Sequence, residues 1–99
     1  MSSSKLTLET IPSPNPKAIT RMLEDELVLL VPAEKSKVIV LNQVGAAIWE
    51  LLDGQRDIQQ IAAAITEQFD TNLPTAEADT LRFTAKLVER GIVSINAET

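Results

Sequence analysis

Glu26-Leu-Val-Leu-Leu-Val-Pro-Ala-Glu-Lys-Ser-Lys-Val-Ile-Val-Leu-Asn-Gln-Val-Gly-Ala-Ala-Ile-Trp-Glu-Leu-Leu-Asp-Gly54 decides the fold of this chain. Leu27 to Val31 is an apolar run without a polar side chain, closed by Pro32, which cannot donate to a strand ladder. Ala33 to Ser36 reads as a turn, and Lys37 to Leu41 returns as another strand. Asn42 then offers the side chain of a helix N-cap. Val44, Ala47, Ile48, Leu51 and Leu52 follow at helical spacing, and Asp53-Gly54 stops the helix, glycine being free to take the left-handed conformation.

Upstream, Ile19 to Leu23 is a short strand ending in the polar turn Glu24-Asp25. Three strands joined by tight turns predict an antiparallel meander with Leu27 to Val31 in the middle and the other two at the edges. Downstream, Asp57 opens a second helix, and Gln60 completes a capping-box pattern. Ile58, Ile61, Ala62, Ile65 and Phe69 are its apolar stripe. Thr71 to Pro74 is a loop, and Thr75 caps a third helix with Glu77 and Asp79 in its first turn and Arg90 in its last, signs that suit the helix dipole. Gly91 ends it, and Ile92 to Ile95 packs as a short tail.

The expected fold class is therefore α+β: a three-stranded antiparallel sheet followed by three helices segregated to one side. Residues 1–17, with three consecutive serines and Pro12, Pro14 and Pro16, read as an extended arm rather than a packed element. One domain spans residues 18–95, and residues 96–99 are a tail.

Composition narrows the function. The 99 residues are 44 % apolar, ample for one compact core. There is no cysteine and no histidine, which removes disulfides, thiolate zinc sites, cysteine nucleophiles and histidine-based triads. The carboxylates are spread along the chain without an acid–base pair, and the isolated glycines form no phosphate-cradling loop. No catalytic residue, metal site or cofactor is expected, and the chain does not read as an enzyme. Nine basic residues against fourteen acidic ones, a net charge of −5, argue against a nucleic-acid partner. No apolar run approaches the ~20 residues of a membrane span, and the start lacks a signal-peptide core, so a cytoplasmic location is expected.

Two elements are candidates for binding. On the third strand, Lys37, Ile39 and Leu41 point one way and Val38 and Val40 the other, so its centre is apolar on both faces. Such a strand is either enclosed or an edge awaiting a partner, since free edges are ordinarily guarded by charge or proline and Lys35 and Lys37 guard only its beginning. Five residues at ~3.3 Å each span roughly 17 Å, enough to pair with a short peptide. On the third helix, Ala78, Leu81, Ala85, Val88 and Ile92 form the expected core stripe. Phe83 and Leu87 form a second stripe, with Thr80 and Thr84 between the two; either the helix is buried on two sides, or Phe83, Leu87 and the threonines line a groove beside the sheet. Trp49, beside the first helix's stripe, reads as a core or subunit-contact residue, and the proline arm is the other candidate contact in a homodimer.

Leu41-Asn42, Gly45, Ile48-Trp49, Leu51-Leu52-Asp53-Gly54, then Ile61, Leu87 and Gly91-Ile92 resemble the PqqD family, whose namesake is coenzyme PQQ synthesis protein D. Pro14-x-Pro16, Arg21 and Glu26-x-Val28-Leu29-Leu30 extend the resemblance, which covers residues 14–95. It implies a permuted winged-helix fold and a role as recognition element for ribosomally made, post-translationally modified peptides. Such proteins bind the leader of a precursor peptide and present its core to a modifying enzyme, often a radical SAM protein, in PQQ, lasso-peptide and other maturation systems. Pairing of the leader with the third strand and against the third helix, carried over here, implies Lys37, Val38, Ile39, Val40, Leu41, Thr80, Phe83, Thr84 and Leu87 as peptide-binding residues.

The alternative is a winged-helix DNA-binding regulator reading through its third helix. That helix carries Glu77, Asp79 and Glu89 against Arg82, Lys86 and Arg90, and the strands precede the helices rather than forming a wing after them. If strand and helix are binding surfaces, Val40→Asp and Leu87→Asp weaken peptide binding, measured by titration calorimetry, and leave circular dichroism unchanged. Global unfolding of either variant identifies that residue as core.

Overall fold

The computed structural model describes residues 6–32 and 34–95, with residues 34–37 described by their backbone. The first five residues of the arm, the turn residue Ala33, the side chain of Lys37 and the tail 96–99 lie outside the described residues. In chain order the elements are β1 (Pro12–Pro14), β2 (Ile19–Leu23), β3 (Glu26–Val31), β4 (Glu34–Leu41), α1 (Gln43–Leu51), α2 (Ile58–Gln68), α3 (Leu73–Glu89) and β5 (Val93–Ile95). The three-stranded sheet runs β2-β3-β4, antiparallel throughout, with the helices after it, as the sequence predicts.

Register explains which faces are apolar. Leu27 pairs with Leu41, Val28 with Val40, Leu29 with Ile39 and Leu30 with Val38. Directly paired residues share a face, so Leu29, Ile39 and Leu41 lie together, and all are buried in the core cluster with Ile48, Ile61, Ala62, Ile65 and Leu87 of the helices. Val28, Leu30, Val38 and Val40 lie on the opposite face. There Val28, on the central strand, is 4 % exposed, whereas Val40, on the edge, is 57 % exposed. Every residue of β2 is exposed.

β4 is longer than expected. It begins at Glu34, so residues 34–36 are strand rather than turn, and the register shifts between Leu30 and Val31, Glu34 pairing with Val31 while residues 35–37 have no partner on β3.

The helix starts follow local chemistry. Asn42 Oδ1 accepts from the Gly45 amide at 2.7 Å. Asp57 and Gln60 form the reciprocal capping box, at 2.8 Å from the Gln60 amide and 2.9 Å from the Asp57 amide. After α1, the amides of Gln55 and Arg56, helped by the Arg56 guanidinium, hold the exposed Asp53 carboxyl below its usual range.

α3 departs from expectation at both its start and its face. It begins at Leu73 under the N-cap Asn72, whose side chain accepts from the Thr75 amide at 2.9 Å, so Thr75 is not the cap. Pro74, expected in a loop, lies in the first turn of the helix, which tolerates proline because its amides need no intrahelical acceptor. The buried face is Ala76, Thr80, Thr84 and Leu87; Ala78 is exposed, and Leu81, Ala85 and Val88 are half-buried. At its end Gly91, at φ 75, donates to Val88 O (3.0 Å) and Ile92 donates to Leu87 O (2.9 Å). This is a Schellman ending, which lets the chain reverse only because Gly91 has no Cβ, and it leads directly into β5.

The described part of the N-terminal arm is extended, as its prolines require, but it is packed and not free. β1 pairs with β5 in antiparallel register, and Pro12 is fully buried. The carbonyls of Thr10 and Leu8 accept from the Ile58 and Gln59 amides at 3.0 Å each, satisfying two donors at the start of α2 that no helical carbonyl can reach. Asn15 adds a bond to Ile92 O at 2.8 Å.

Loss of these three bonds at ~1 kcal/mol each predicts that deleting residues 1–16 lowers the melting temperature by about 10 °C or more. Thermal denaturation followed by circular dichroism measures it, and an unchanged midpoint would mean the strap is ornamental.

Candidate functional site

The site is built where β4 hands the chain to α1. β4 pairs with β3 along one edge, and its other edge has no strand partner among the described residues. Over Val38 to Leu41 that edge is a row of backbone donors and acceptors without any charged side chain, the feature natural sheets normally suppress. Ile39 and Leu41 are turned into the core at 6 % exposure each, which pins the strand while leaving its edge open.

Immediately after Leu41, Asn42 turns the chain into α1. A pocket of about 410 Å³ opens between the start of α1 and one flank of α3, lined by Asn42, Val44, Gly45, Ile48, Asp79, Arg82, Phe83 and Lys86. α3 packs principally against α2 and β5, so its other flank is left to form this wall. Gly45 sets the depth. A Cβ there would lie 3.2 Å from Phe83 Cε1 and 3.2 Å from Asn42 Oδ1, so any larger residue requires the ring or the cap to give by a few tenths of an ångström. Asp79 and Arg82 form an ion pair on the rim. Among the described residues no group of three or more His, Cys, Asp or Glu side chains could hold a metal ion. Among the described residues, no helix is long and apolar enough to cross a membrane.

The residues singled out from sequence divide. Val38, Ile39, Val40 and Leu41 lie on the free edge strand, and Phe83 lines the pocket. Lys37 is on the same strand, with its side chain outside the described residues. Thr80, Thr84 and Leu87 are 0 % exposed and cannot line a surface groove. They are the inner face of α3, and the reading of that helix as groove-lining through them is corrected. The reason is a rotation: Phe83 sits at the border between the buried arc (Ala76, Thr80, Thr84, Leu87) and the pocket flank (Asp79, Arg82, Lys86). The flank was missed because its charges read as an ordinary solvated face. Its signal was position, since residues 79, 82 and 86 surround Phe83 at spacings of −4, −1 and +3. Trp49 is half-buried and packs against the core of its own chain, and the described arm likewise stays on its own chain.

A three-stranded sheet whose edge strand leads through Asn42 into a helix-lined pocket, in a domain with strands before helices, defines a small α+β module of permuted winged-helix order. The family model for coenzyme PQQ synthesis protein D (PqqD) matches residues 26–93, and the chain belongs to that family. A PqqA binding protein of Xanthomonas oryzae pv. oryzae (strain PXO99A) is 30 % identical over 71 residues, covering 72 % of this chain and 74 % of that protein. Another, of Xanthomonas euvesicatoria pv. vesicatoria (strain 85-10), is 28 % identical over a stretch of the same length. The fold is similar to the solution NMR structure of the PqqD truncation of Methylobacterium extorquens PqqCD, described as a functional, stand-alone recognition element for ribosomally synthesized and post-translationally modified peptides. The TM-score is 0.73, at 24 % identity over 90 % of this chain and 94 % of that one. It is also similar to TbiB1 in complex with the TbiA(beta) leader peptide, with a TM-score of 0.67 at 24 % identity over 88 % of this chain and 98 % of that one.

The hydroxyls of Thr80 and Thr84 are buried without a hydrogen-bond partner. Each carries an uncompensated desolvation cost of about 1–3 kcal/mol, so the isosteric changes Thr80→Val and Thr84→Val raise the melting temperature. Gly45→Ala instead displaces Phe83, expected as a shift of the Phe83 ring resonances and a weaker peptide affinity with the domain still folded.

Proposed function

We propose that this protein is a non-catalytic peptide-binding adaptor. It binds the leader of a ribosomally made precursor peptide by strand addition to β4 and presents the rest of the peptide to a modifying enzyme. The observation that carries this is the uncharged edge of Val38 to Leu41, without a strand partner among the described residues, on a strand that continues at Asn42 into the lining of the pocket.

An added strand finds its main-chain partners on that edge, each bond contributing roughly 0.5–1.5 kcal/mol net. Alternate side chains of the peptide then lie on opposite faces of the enlarged sheet. Those on the helix side meet Phe83, Val44 and Ile48, while those on the outer side meet Val38 and Val40. Thr80, Thr84 and Leu87 hold α3 against the core, so the wall stays in place when the peptide enters. The names of the relatives, PqqA binding proteins, support a peptide ligand over a DNA duplex. So does the fold shared with a protein seen with a leader peptide. We place the complex in the cytoplasm, in the PQQ pathway or another modified-peptide pathway, with a radical SAM protein as modifying enzyme.

Titration calorimetry against synthetic leader peptides encoded beside the gene tests this, with amide shift mapping to locate the contact. Micromolar or tighter binding with the largest shifts at residues 38–41 is the expected result. Val40→Asp, on the exposed outer face, weakens binding up to about fivefold through loss of a cross-strand apolar pair without changing the fold. Folded protein that binds none of these peptides refutes the adaptor role.

A further inference from the structure

The pocket has an apolar wall and a charged flank, and the two sit at a spacing that a strand can read. Resting on the strand-addition reading above, we propose that the groove selects its peptide by a paired signal. A bulky apolar side chain seats against Val44, Ile48 and Phe83, and a carboxylate two positions away along the peptide meets Lys86.

The cavity of about 410 Å³ is toward the small end of ligand sites and has room for a large side chain. Of the charges on its rim, Asp79 and Arg82 pair with each other, leaving Lys86 as the exposed cation. Among the described residues no carboxylate pairs with it. Charge is also allotted unevenly over the chain. β4 and α3 together carry four basic residues (Lys35, Lys37, Arg82, Lys86) and four acidic ones (Glu34, Glu77, Asp79, Glu89). The whole net charge of −5 therefore lies outside these two elements, which are neutral together.

Spacing makes the selection positional. Phe83 and Lys86 are three apart on one flank of α3, which puts their Cβ atoms about 5–6 Å apart. Side chains two apart on a strand point the same way and are about 6.6 Å apart at ~3.3 Å per residue. An anchor resting on Phe83 thus delivers its second neighbour's side chain to Lys86, whereas its immediate neighbours face the outer side beside Val38 and Val40. Bulk electrostatics works the other way: a protein of net charge −5 attracts basic peptides at long range. A preference for acid at one position must therefore come from a local cation.

The test is a positional-scanning library of acetylated, amidated undecapeptides, bound to the full chain at low salt, with selected sequences re-measured by titration calorimetry. The expected consensus is a large apolar residue with Asp or Glu two positions away, the carboxylate improving affinity about three- to fivefold and the gain shrinking at 0.5 M salt. Lys86→Glu, an exposed change, should keep the wild-type melting temperature and reverse the preference to Lys or Arg at that position. Lys86→Gln should erase it while leaving the apolar anchor. An apolar consensus without the carboxylate, an acid preference at no fixed position, or one that survives Lys86→Glu overturns the paired signal and leaves strand addition standing. Absence of any binding to the folded chain overturns both.

Discussion

The apolar seam in which Leu29, Ile39 and Leu41 meet Ile48, Ile61 and Leu87 is the contact on which everything else depends. A meander of three strands exposes two faces and two edges, and the three helices pack against one of the faces. β3 lies at the centre, and β4 keeps one edge without a strand partner among the described residues. Residues 8–15 complete the helical layer, satisfying the amides that start α2 and pairing with β5.

α3 serves two purposes through two adjoining flanks. Its inner arc is small and partly polar, with Ala76, Thr80 and Thr84 letting the helix lie close while Leu87 supplies the bulk. Its Schellman ending places Ile92 and Val93 in the same core, so the wall of the pocket is anchored at its C-terminal end. Phe83 stands where the arcs meet, held by the gap at Gly45, so one ring closes the core on one side and floors the pocket on the other.

Much of the architecture was legible in the sequence because it rests on local chemistry. The central apolar run, Asn42 as cap, the Asp57–Gln60 box and Gly91 each act within a few residues. What escaped was long-range or degenerate. Pro12 to Pro14 carry no hydrophobic period, so pairing with a strand some 80 residues later left no trace. Pro74 looks the same in a loop and in the first turn of a helix. The two stripes of α3 differ by a rotation about its axis, and threonine, whose methyl packs as well as its hydroxyl bonds, let hydropathy choose the wrong one as core.

From the amino-acid order alone came the three-stranded meander and the three helices in their order, the central place of β3, the family resemblance and the strand that presents a free edge. Those depend on periodicity, capping and the absence of charge over residues 38–41. Only the tertiary structure decided which arc of α3 faces inward, that the arm is a strap, and that Asn42, Gly45, Phe83 and Lys86 surround one pocket. The physical reason is that a helix's rotation, and the company a side chain keeps across forty residues, are set by packing the whole core at once.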